Sequence, residues 1–359
     1  MKGTMLVDSG LYGIFHSNRK SDDHWGKNCF NSSFPTAMAN YMMAEKIPAI
    51  YITLAKRDGK LVVIPKKILI NEVFNCGNRA SEELKFCFES TYEPYQKYAF
   101  ETIDGIDLVV KDTKDAFLSP LEVKLTVLPT SNTCKLPEKD WGCELVIRSA
   151  TTSYCAFGMF DSLGKKQSTI RDIFETSCSS IQSWDNDFEM SHKIGSLCDA
   201  LDTFENDYLS KQKPILMQAI WKTQGQSPFL SENAFDIVVW SDFSFSRLFI
   251  DQARKDDPEK MSRSMRAAAR LARCLWELSK SGKIHINDIY RQMAFGQQTD
   301  KEFAIQGNLW RKYVSDSRII TPILKKDCLY EIVEAERIES LRPERRFDQT
   351  LYFTMRGNR

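Results

Sequence analysis

The segment 104–129 constrains the fold of this chain more than any other, because it contains two apolar runs that predict neighbouring strands. Asp107 stands at the head of the first run, and Glu122 and Lys124 lie within the second. Side chains two apart on a strand point to the same face, so Glu122 and Lys124 share a face and Val123 points to the other. The pattern predicts two carboxylates and an ammonium group at the ends of adjacent strands.

These groups are the minimum set for metal-assisted hydrolysis of a phosphodiester. Two carboxylates from different strands can bind Mg²⁺ at about 2.0–2.1 Å. The backbone carbonyl of Val123 is a further candidate ligand, and Lys124 can orient or deprotonate the attacking water. Asp104 is an alternative to Asp107 as the first ligand, although Asp104 and the glycine after it have turn character. The competing interpretation is an exposed strand edge whose charges face solvent.

A further carboxylate could come from the segments that precede these strands. Residues 80–90 have a helical pattern with Ser81 as N-cap, and this predicted helix carries Glu83 and Glu89. Glu101 lies in an apolar run that predicts a strand. Each of the three is equally explained as a solvent-exposed charge.

The composition of the whole chain fits a globular protein and excludes several classes of site. The 359 residues are 42% hydrophobic and 27% charged, and the net charge of +1 does not decide for or against a nucleic-acid partner. The ten cysteines form no Cys-x-x-Cys pair, which favours reduced thiols over a zinc site. No apolar stretch is long enough for a signal core or a membrane span, so we expect a cytoplasmic protein.

The remaining patterns suggest three regions, with a single domain as the alternative. We predict an N-terminal extension with a β-hairpin over residues 1–75, a core over 76–255, and a helical, basic C-terminal region over 256–359. The hairpin joins apolar runs at 49–54 and 61–64. Further strands are predicted at 98–102, 144–147, 215–220 and 235–240, and helical patterns at 165–212 and 261–282.

Two segments carry residues suited to contact with an anionic polymer. The helix 261–282 has arginines at spacings of three and four, which could bind phosphates or form an ordinary solvated face: Arg263, Arg266, Arg270 and Arg273. The predicted loop 221–227 has side chains that can read base edges, although they are also common loop residues: Lys222, Thr223, Gln224 and Gln226.

At this point the sequence resembles the HindVP/HgiDI family of type II restriction endonucleases, within the PD-(D/E)xK nucleases. The likeness rests on separate segments from about residue 25 to about 250, and it weakens towards 305. They are Trp25-Gly26-Lys27-Asn28, Phe30-Asn31-Ser32-Ser33-Phe34-Pro35, Ile103-Asp104-Gly105-Ile106-Asp107, Leu121-Glu122-Val123-Lys124-Leu125-Thr126-Val127-Leu128-Pro129, Ile220-Trp221-Lys222-Thr223 and Val239-Trp240-Ser241-Asp242-Phe243.

The resemblance implies a restriction-endonuclease-like α/β fold, a three-layer α/β/α core with a mixed central sheet, plus a helical C-terminal region. It implies Asp107 and Glu122 as Mg²⁺ ligands and Lys124 as the catalytic lysine. Ile106 stands where the family pattern has proline, which keeps Asp104 in contention. The family is associated with the palindrome GRCGYC in double-stranded DNA. A palindrome cut on both strands is most simply served by a homodimer. In-line attack of a metal-activated water on the phosphate would leave 5′-phosphate and 3′-hydroxyl ends. Protection of the host DNA implies a cognate DNA methyltransferase as functional partner.

Three other functions are compatible with the sequence. A structure-selective repair or recombination nuclease of the same fold would cut only at junctions, flaps or ends. A non-catalytic DNA-binding protein would use the arginine helix and need neither Asp107 nor Glu122. A scaffold protein would have no affinity for DNA.

Overall fold

The computed structural model describes residues 46, 48–58, 60–80, 83–124, 128–129, 144–163, 167–209, 215–216, 222–224, 227–229, 234–235, 238–241, 245–298 and 301–306. The strands are β1 Ala49–Arg57, β2 Lys60–Ile68, β3 Leu84–Ser90, β4 Ile106–Asp112, β5 Phe117–Lys124, β6 Leu128–Pro129, β7 Glu144–Arg148, β8 Ile215–Leu216, β9 Lys222–Gln224, β10 Ser227–Phe229, β11 Ala234–Phe235, β12 Val238–Ser241 and β13 Lys301–Gln306. The helices are α1 Ile70–Val73, α2 Ser149–Leu163, α3 Gln167–Cys178, α4 Asp187–Leu209, α5 Phe245–Ala253, α6 Arg263–Ser281 and α7 Ile286–Gln292, with a 3-10 helix at Glu93–Tyr98.

A seven-stranded sheet in the order β2-β1-β8-β12-β5-β4-β3 contains the two strands predicted to form the site. Every pairing in this sheet is antiparallel among the described residues, so the prediction of a mixed sheet is wrong for this part of the chain. The connection from β4 to β5 spans only residues 113–116, which is too short for the crossover that parallel strands require. The α/β class itself is confirmed.

The predicted helix at residues 80–90 is wrong, because the structure forms strand β3 there. In β3, Leu84 is buried, Lys85 is exposed and Phe86 is half-buried. This two-residue alternation suits a strand, and pairing with β4 from Leu84 to Ser90 outweighs the local helical signal. The strand predicted at 98–102 is also wrong. Only Ala99 makes a single bridge there, and a 3-10 helix directly precedes it.

Other predicted elements are confirmed. The hairpin is β1 with β2, and strands β4, β5, β7, β8 and β12 overlap the predicted runs. Helix α6 begins after Ser262, whose side chain accepts a hydrogen bond from the backbone N–H of Met265 at 3.1 Å. It ends at Gly282, where the backbone φ of +74° lies in the left-handed region that glycine tolerates.

Helix α6 is the centre of the helical core. It packs against α2, α3, α4 and α5 and against strand β13. Residues on most of its circumference are buried, including Ala268, Leu271 and Leu275. Contacts between α6 and helices α2 and α4 cross the predicted boundary near residue 255, and β1 joins the sheet through β8. The three-region division remains a prediction.

A search for membrane-spanning segments finds none among the helices of the described ranges, since each is too short or too polar to cross a bilayer.

Candidate active site

Asp107 is the second residue of β4 and is half-buried. Its neighbours Ile106, Leu108, Val109 and Val110 are almost completely buried, at 0–3% exposure. Burial of successive residues means that both faces of the strand are covered, as in the interior of a layered structure. The apolar run therefore fixes β4 inside the fold and presents Asp107 near its beginning.

Glu122 lies on β5 and is only 6% exposed. Its Oε1 atom accepts a hydrogen bond from the hydroxyl of Thr151, at 3.0 Å. β5 lies between β4 and β12, and Glu122 is paired with Trp240 on the β12 side. A carboxylate in such a position needs polar partners, because burying it without them is costly.

The register of the sheet brings Asp107 and Glu122 to facing positions. Leu108 pairs with Leu121 in the antiparallel β4–β5 ladder. One step further along each strand, the same register aligns Asp107 with Glu122. Side chains at facing positions of an antiparallel pair lie on the same face, with Cβ atoms about 4.5–5.5 Å apart. The two carboxylates predicted as ligands are thus neighbours on one side of the sheet.

Lys124 is the last residue of β5, and its backbone pairs with Val238 of β12. Two residues separate it from Glu122, so its position belongs to the same face of the strand. The backbone of Val123 lies between them, paired with Val239. The side chains of Val123 and Lys124 lie outside the described set, and their roles remain predictions.

Asp104 lies in the turn before β4 and is exposed. Its backbone carbonyl accepts a hydrogen bond from the hydroxyl of Tyr154 at 2.8 Å. A Cβ atom on Gly105 would lie 2.8 Å from the carbonyl oxygen of Glu89, so only glycine allows this turn to approach β3 so closely. The turn is therefore fixed from two sides. Asp107 lies on the strand next to Glu122 and Asp104 does not, which favours Asp107 as the second ligand.

Tyr154 is 1% exposed, and its hydroxyl also accepts a hydrogen bond from the backbone N–H of Tyr92 at 3.0 Å. Burial is the main cause that raises the pKa of Tyr154 to about 12, and the charges of Asp104 and Glu122 add to it. The phenol consequently remains a protonated donor at neutral pH, close to the carboxylates of Asp104 and Glu122.

The three additional carboxylates have different positions. Glu83 precedes β3 and caps a turn by accepting from the backbone N–H of Ala80 at 2.9 Å, near the end of β4 opposite to Asp107. Glu101 accepts from the backbone N–H of Ile286 at 3.1 Å and so caps helix α7. Glu89 is exposed on β3, between Phe88 and Ser90, which pair with Leu108 and Ile106 on either side of Asp107. Of the three, Glu89 has the position closest to the predicted ligands.

A cleft of about 150 Å³ opens beside the turn before β4. Its lining includes Glu101 and Asp104 from the segment before β4, Ser149 and Ser153 from α2, and Asn287 from α7. Among the described residues, Asp107 and Glu122 are not part of this lining, so the cleft lies beside Asp104 rather than at the carboxylate pair on the sheet.

The segment predicted as a base-reading loop forms a small hairpin. Lys222, Thr223 and Gln224 make up β9, which pairs antiparallel with β10 so that Gln224 faces Ser227. Gln226 lies outside the described residues. A role of these residues in reading bases remains a prediction.

The arginines of α6 do not form the uniform exposed face that their spacing suggested. Arg266 is 1% exposed and donates to the backbone carbonyl of Lys301. Arg270 is 4% exposed and forms an ion pair with the buried Glu302. The prediction that these two arginines bind phosphates at the surface is therefore wrong, because their guanidinium groups are used inside the protein.

The other two arginines remain nearer to the surface. Arg273 keeps 19% of its side chain exposed and lies 5.0 Å from the ring centres of both Trp184 and Trp276. It also forms an ion pair with Glu277 at 2.8 Å. Arg263, in the first turn of α6, is exposed. Contact with DNA by these two residues remains a prediction.

Thr151 and Tyr154 are the site residues that the sequence did not predict. Both lie in the first turns of α2, Thr151 within the hydroxyl-rich run Ser149-Ala150-Thr151-Thr152-Ser153 and Tyr154 directly after it. This run was the available signal, because buried hydroxyl groups in a helix must find partners. Nothing in the local pattern indicated that the partners lie on β5 and before β4.

No group of three or more His, Cys, Asp or Glu side chains that could hold a metal is found within the described part of the chain. The candidate site instead offers the two carboxylates at facing positions on β4 and β5. Mg²⁺ is commonly bound through only one or two protein carboxylates together with substrate phosphates and water. A pair of hard oxygen donors therefore fits such an ion.

Comparison with known proteins gives a consistent family. The model of the HindVP restriction endonuclease family matches residues 25–356. The type II restriction enzyme HgiDI of Herpetosiphon aurantiacus is 32% identical over 352 residues, which are 97% of this chain and 97% of that protein. The probable type II restriction enzyme HindVP of Haemophilus influenzae is 29% identical over 361 residues, covering 98% of this chain and 95% of the relative.

No solved structure matches the fold of this chain, so the assignment depends on sequence. The family model and both relatives extend over nearly the whole chain, including both candidate ligands and the helical core. The chain therefore belongs to the HindVP restriction endonuclease family, and it is an endonuclease of the type II restriction class.

Proposed function

We propose that this protein is a Mg²⁺-dependent type II restriction endonuclease that hydrolyses double-stranded DNA at a short palindrome and leaves 5′-phosphate and 3′-hydroxyl ends. The observation that carries the proposal is the facing register of Asp107 and Glu122 on adjacent antiparallel strands. Two carboxylates on one face of a sheet can bind a hard cation such as Mg²⁺, and such an ion can activate both a water molecule and a scissile phosphate.

Asp107 and Glu122 would hold the metal, with the backbone carbonyl of Val123 as a further donor. When bound, Mg²⁺ supplies Lewis-acid activation of the scissile phosphate and of a water molecule. Glu122 lies in a buried environment, so its interactions with a cation are stronger than at the protein surface. Lys124 would orient the attacking water and stabilise the negative charge that develops on the phosphate.

The proposed substrate is double-stranded DNA with a GRCGYC-like site, by resemblance to the family. A twofold homodimer would match the symmetry of such a palindrome and place one active site on each strand. The β9–β10 hairpin, with Lys222, Thr223 and Gln224, is the candidate base-reading element, and Arg263 and Arg273 are candidate phosphate contacts. A methyltransferase that protects the host DNA would be the functional partner, and a cytoplasmic location follows from this role.

The first experiment is digestion of a long DNA of known sequence with Mg²⁺ and, separately, with EDTA, followed by sequencing of the fragment ends. We expect discrete fragments that share one palindromic end with Mg²⁺ and intact DNA with EDTA. Fragments that appear only from flaps or junctions would support a repair nuclease instead. DNA that is bound but never cut would contradict the catalytic assignment.

Replacement of Lys124 tests the proposed catalytic lysine. Lys124→Ala should lower the cleavage rate by roughly 10²–10³-fold or more, while a gel shift shows unchanged DNA binding. Lys85→Ala is a matched control, because Glu83 and Lys85 have the same spacing as Glu122 and Lys124. Lys85 forms an exposed ion pair with Asp115, and its loss should leave cleavage unchanged.

A further inference from the structure

We propose that Thr151 is a positioning residue for Glu122, and that its hydroxyl group fixes the carboxylate in the orientation required for metal binding. The inference rests on the proposed function of Glu122 as a ligand. It adds a residue of helix α2 to a site that is otherwise made from strands β4 and β5.

The contact is direct and shielded from water. Thr151 Oγ1 donates to Glu122 Oε1 at 3.0 Å, and the two residues are only 5% and 6% exposed. A hydrogen bond to one carboxylate oxygen restricts rotation of the whole group about its last torsion. The direction of the second oxygen, Oε2, is then fixed as well. A branched side chain such as threonine has few rotamers in a helix, so the donor itself is held in place.

The helix that carries Thr151 is well anchored. α2 follows directly on strand β7 and packs against α6 and the 3-10 helix. Tyr154, three residues after Thr151 and therefore on the same side of α2, donates to the backbone carbonyl of Asp104 at 2.8 Å. One side of this helix thus contacts Glu122 on β5 and the turn that leads into β4, where Asp107 lies.

The chemistry of the contact favours the ionised carboxylate. A hydroxyl donor stabilises the charged form of an acid, and a metal ligand must be deprotonated. Residues that hydrogen-bond to metal ligands typically contribute 10–100-fold to metal affinity or activity. The donor also offsets part of the cost of burying the charge of Glu122 before any metal is bound.

The test uses the full-length protein with three substitutions. Thr151→Val removes the hydroxyl while keeping the shape, Thr151→Ser keeps the hydroxyl, and Thr176→Val is the matched control. Thr176 is exposed on α3, and its hydroxyl bonds only to the backbone carbonyl of Asp172 among the contacts described, at 2.8 Å. Single-turnover cleavage is measured against Mg²⁺ concentration. DNA binding in EDTA and thermal melting with and without Mg²⁺ are measured alongside.

For Thr151→Val we expect a rate at limiting Mg²⁺ that is about 10–100-fold lower and a higher Mg²⁺ concentration for half-maximal rate. The rise in melting temperature on adding Mg²⁺ should be smaller than in the wild type, while DNA binding is unchanged. Thr151→Ser should restore the wild-type values, and Thr176→Val should never depart from them. A change in stability alone would not alter the Mg²⁺ dependence of cleavage by the folded enzyme.

Wild-type Mg²⁺ dependence of cleavage by Thr151→Val would overturn the proposal, and so would a failure of Thr151→Ser to restore it. If the valine variant does not fold, Thr151→Ala removes the same hydroxyl from the same helix position and carries the same expectation. Failure of the proposed function would be seen separately, because the wild-type protein would then not cut DNA at all.

Discussion

Two adjacent threonines of helix α2 each donate a hydrogen bond to a buried glutamate, but the two glutamates belong to different regions. Thr151 donates to Glu122 in the sheet, and Thr152 donates to Glu302 in the helical core. Glu302 is completely buried and forms an ion pair with Arg270 of α6. On the neighbouring strand β4, and on the same face of the sheet, the position aligned with Glu122 holds a second carboxylate, Asp107.

The comparison separates a carboxylate that stabilises the fold from one that can serve chemistry. Burial raises the pKa of Glu302, and the charge of Arg270 opposes this effect. Arg270 also donates to the backbone carbonyl of Met293 at 3.0 Å and lies 4.6 Å above the ring of Tyr290, so the pair is enclosed by protein. Two carboxylates on one sheet face repel each other, and a cation between them relieves that repulsion. The same hydroxyl–carboxylate contact therefore has different consequences in the two regions.

The largest effects are expected when the same substitution is made in both glutamates. Glu122→Gln should lower the cleavage rate by roughly 10²–10³-fold or more, because a neutral amide is a poor ligand for Mg²⁺. Glu302→Gln should leave Arg270 as an uncompensated buried charge and lower the free energy of unfolding by about 3–5 kcal/mol. Cleavage assays and denaturant unfolding measure the two effects.

Each variant should show only one of the two effects: Glu122→Gln loses activity, and Glu302→Gln loses stability. Glu122→Gln should retain most of its stability, and folded Glu302→Gln should cut DNA within a few-fold of the wild-type rate. Arg291→Ala is a control for loss of an ion pair, since its partner Asp288 is at the surface and such pairs contribute about 0–1 kcal/mol. Equal stability loss in both glutamine variants would show that Glu122 also has a mainly structural role.

Strand periodicity in the sequence was enough to predict the positions of Asp107 and Glu122. An apolar run beside an acidic residue specifies burial and face locally, and the short β4–β5 connection makes the two strands neighbours. The same local reasoning failed for β3, where Ser81 as an N-cap and the acidic Glu82 and Glu83 after it suggested a helix. There the alternation in hydrophobicity was the better signal, and pairing with β4 decided the outcome.

The roles of Arg270 and Thr151 could not be predicted from the sequence. Spacings of three and four place arginines on one side of a helix, but they do not indicate whether that side faces solvent or protein. Glu302, the partner of Arg270, lies 32 residues further along the chain, and Glu122 lies 29 residues before Thr151. Arg270 meets Glu302 where α6 packs against β13, and Thr151 meets Glu122 where α2 approaches β5.

A smaller effect, in the alkaline range, is expected for Tyr154, which links α2 to the turn before β4. Its pKa is raised from 10.0 to about 12, mainly by burial, so the folded state holds the proton more tightly than the unfolded state. The resulting stability is complete below pH 10 and is lost as the pH rises from 10 to about 12.

Tyr154→Phe should lose less stability than the wild type over this interval. Unfolding curves at pH 9, 10 and 11 measure the difference. Equal alkaline losses in both proteins would contradict the role of the buried phenol.

The smallest effect is expected at the other end of β4, where Asp112 is a carboxylate with a purely structural environment. Its Oδ1 atom accepts from the backbone N–H groups of Lys114 and Ala116, both at 2.9 Å, and so fixes the turn to β5. The bond from Ala116 is the main cause that lowers the pKa of Asp112 below 3.8. The associated stability is present above that value and is lost as the pH falls through the lower, folded-state pKa.

Asp112→Asn keeps an acceptor oxygen but cannot titrate. At pH 7 we expect its melting temperature to fall by only a few degrees. Below pH 4 the difference in melting temperature between the variant and the wild type should become smaller, because only the wild type loses a charged acceptor. Its cleavage rate should match the wild type, since the turn lies away from Asp107 at the opposite end of the strand. A rate loss comparable to that of Glu122→Gln would mean that the geometry of the carboxylate pair depends on this turn. The distinction between structural and catalytic carboxylates would then not hold along β4.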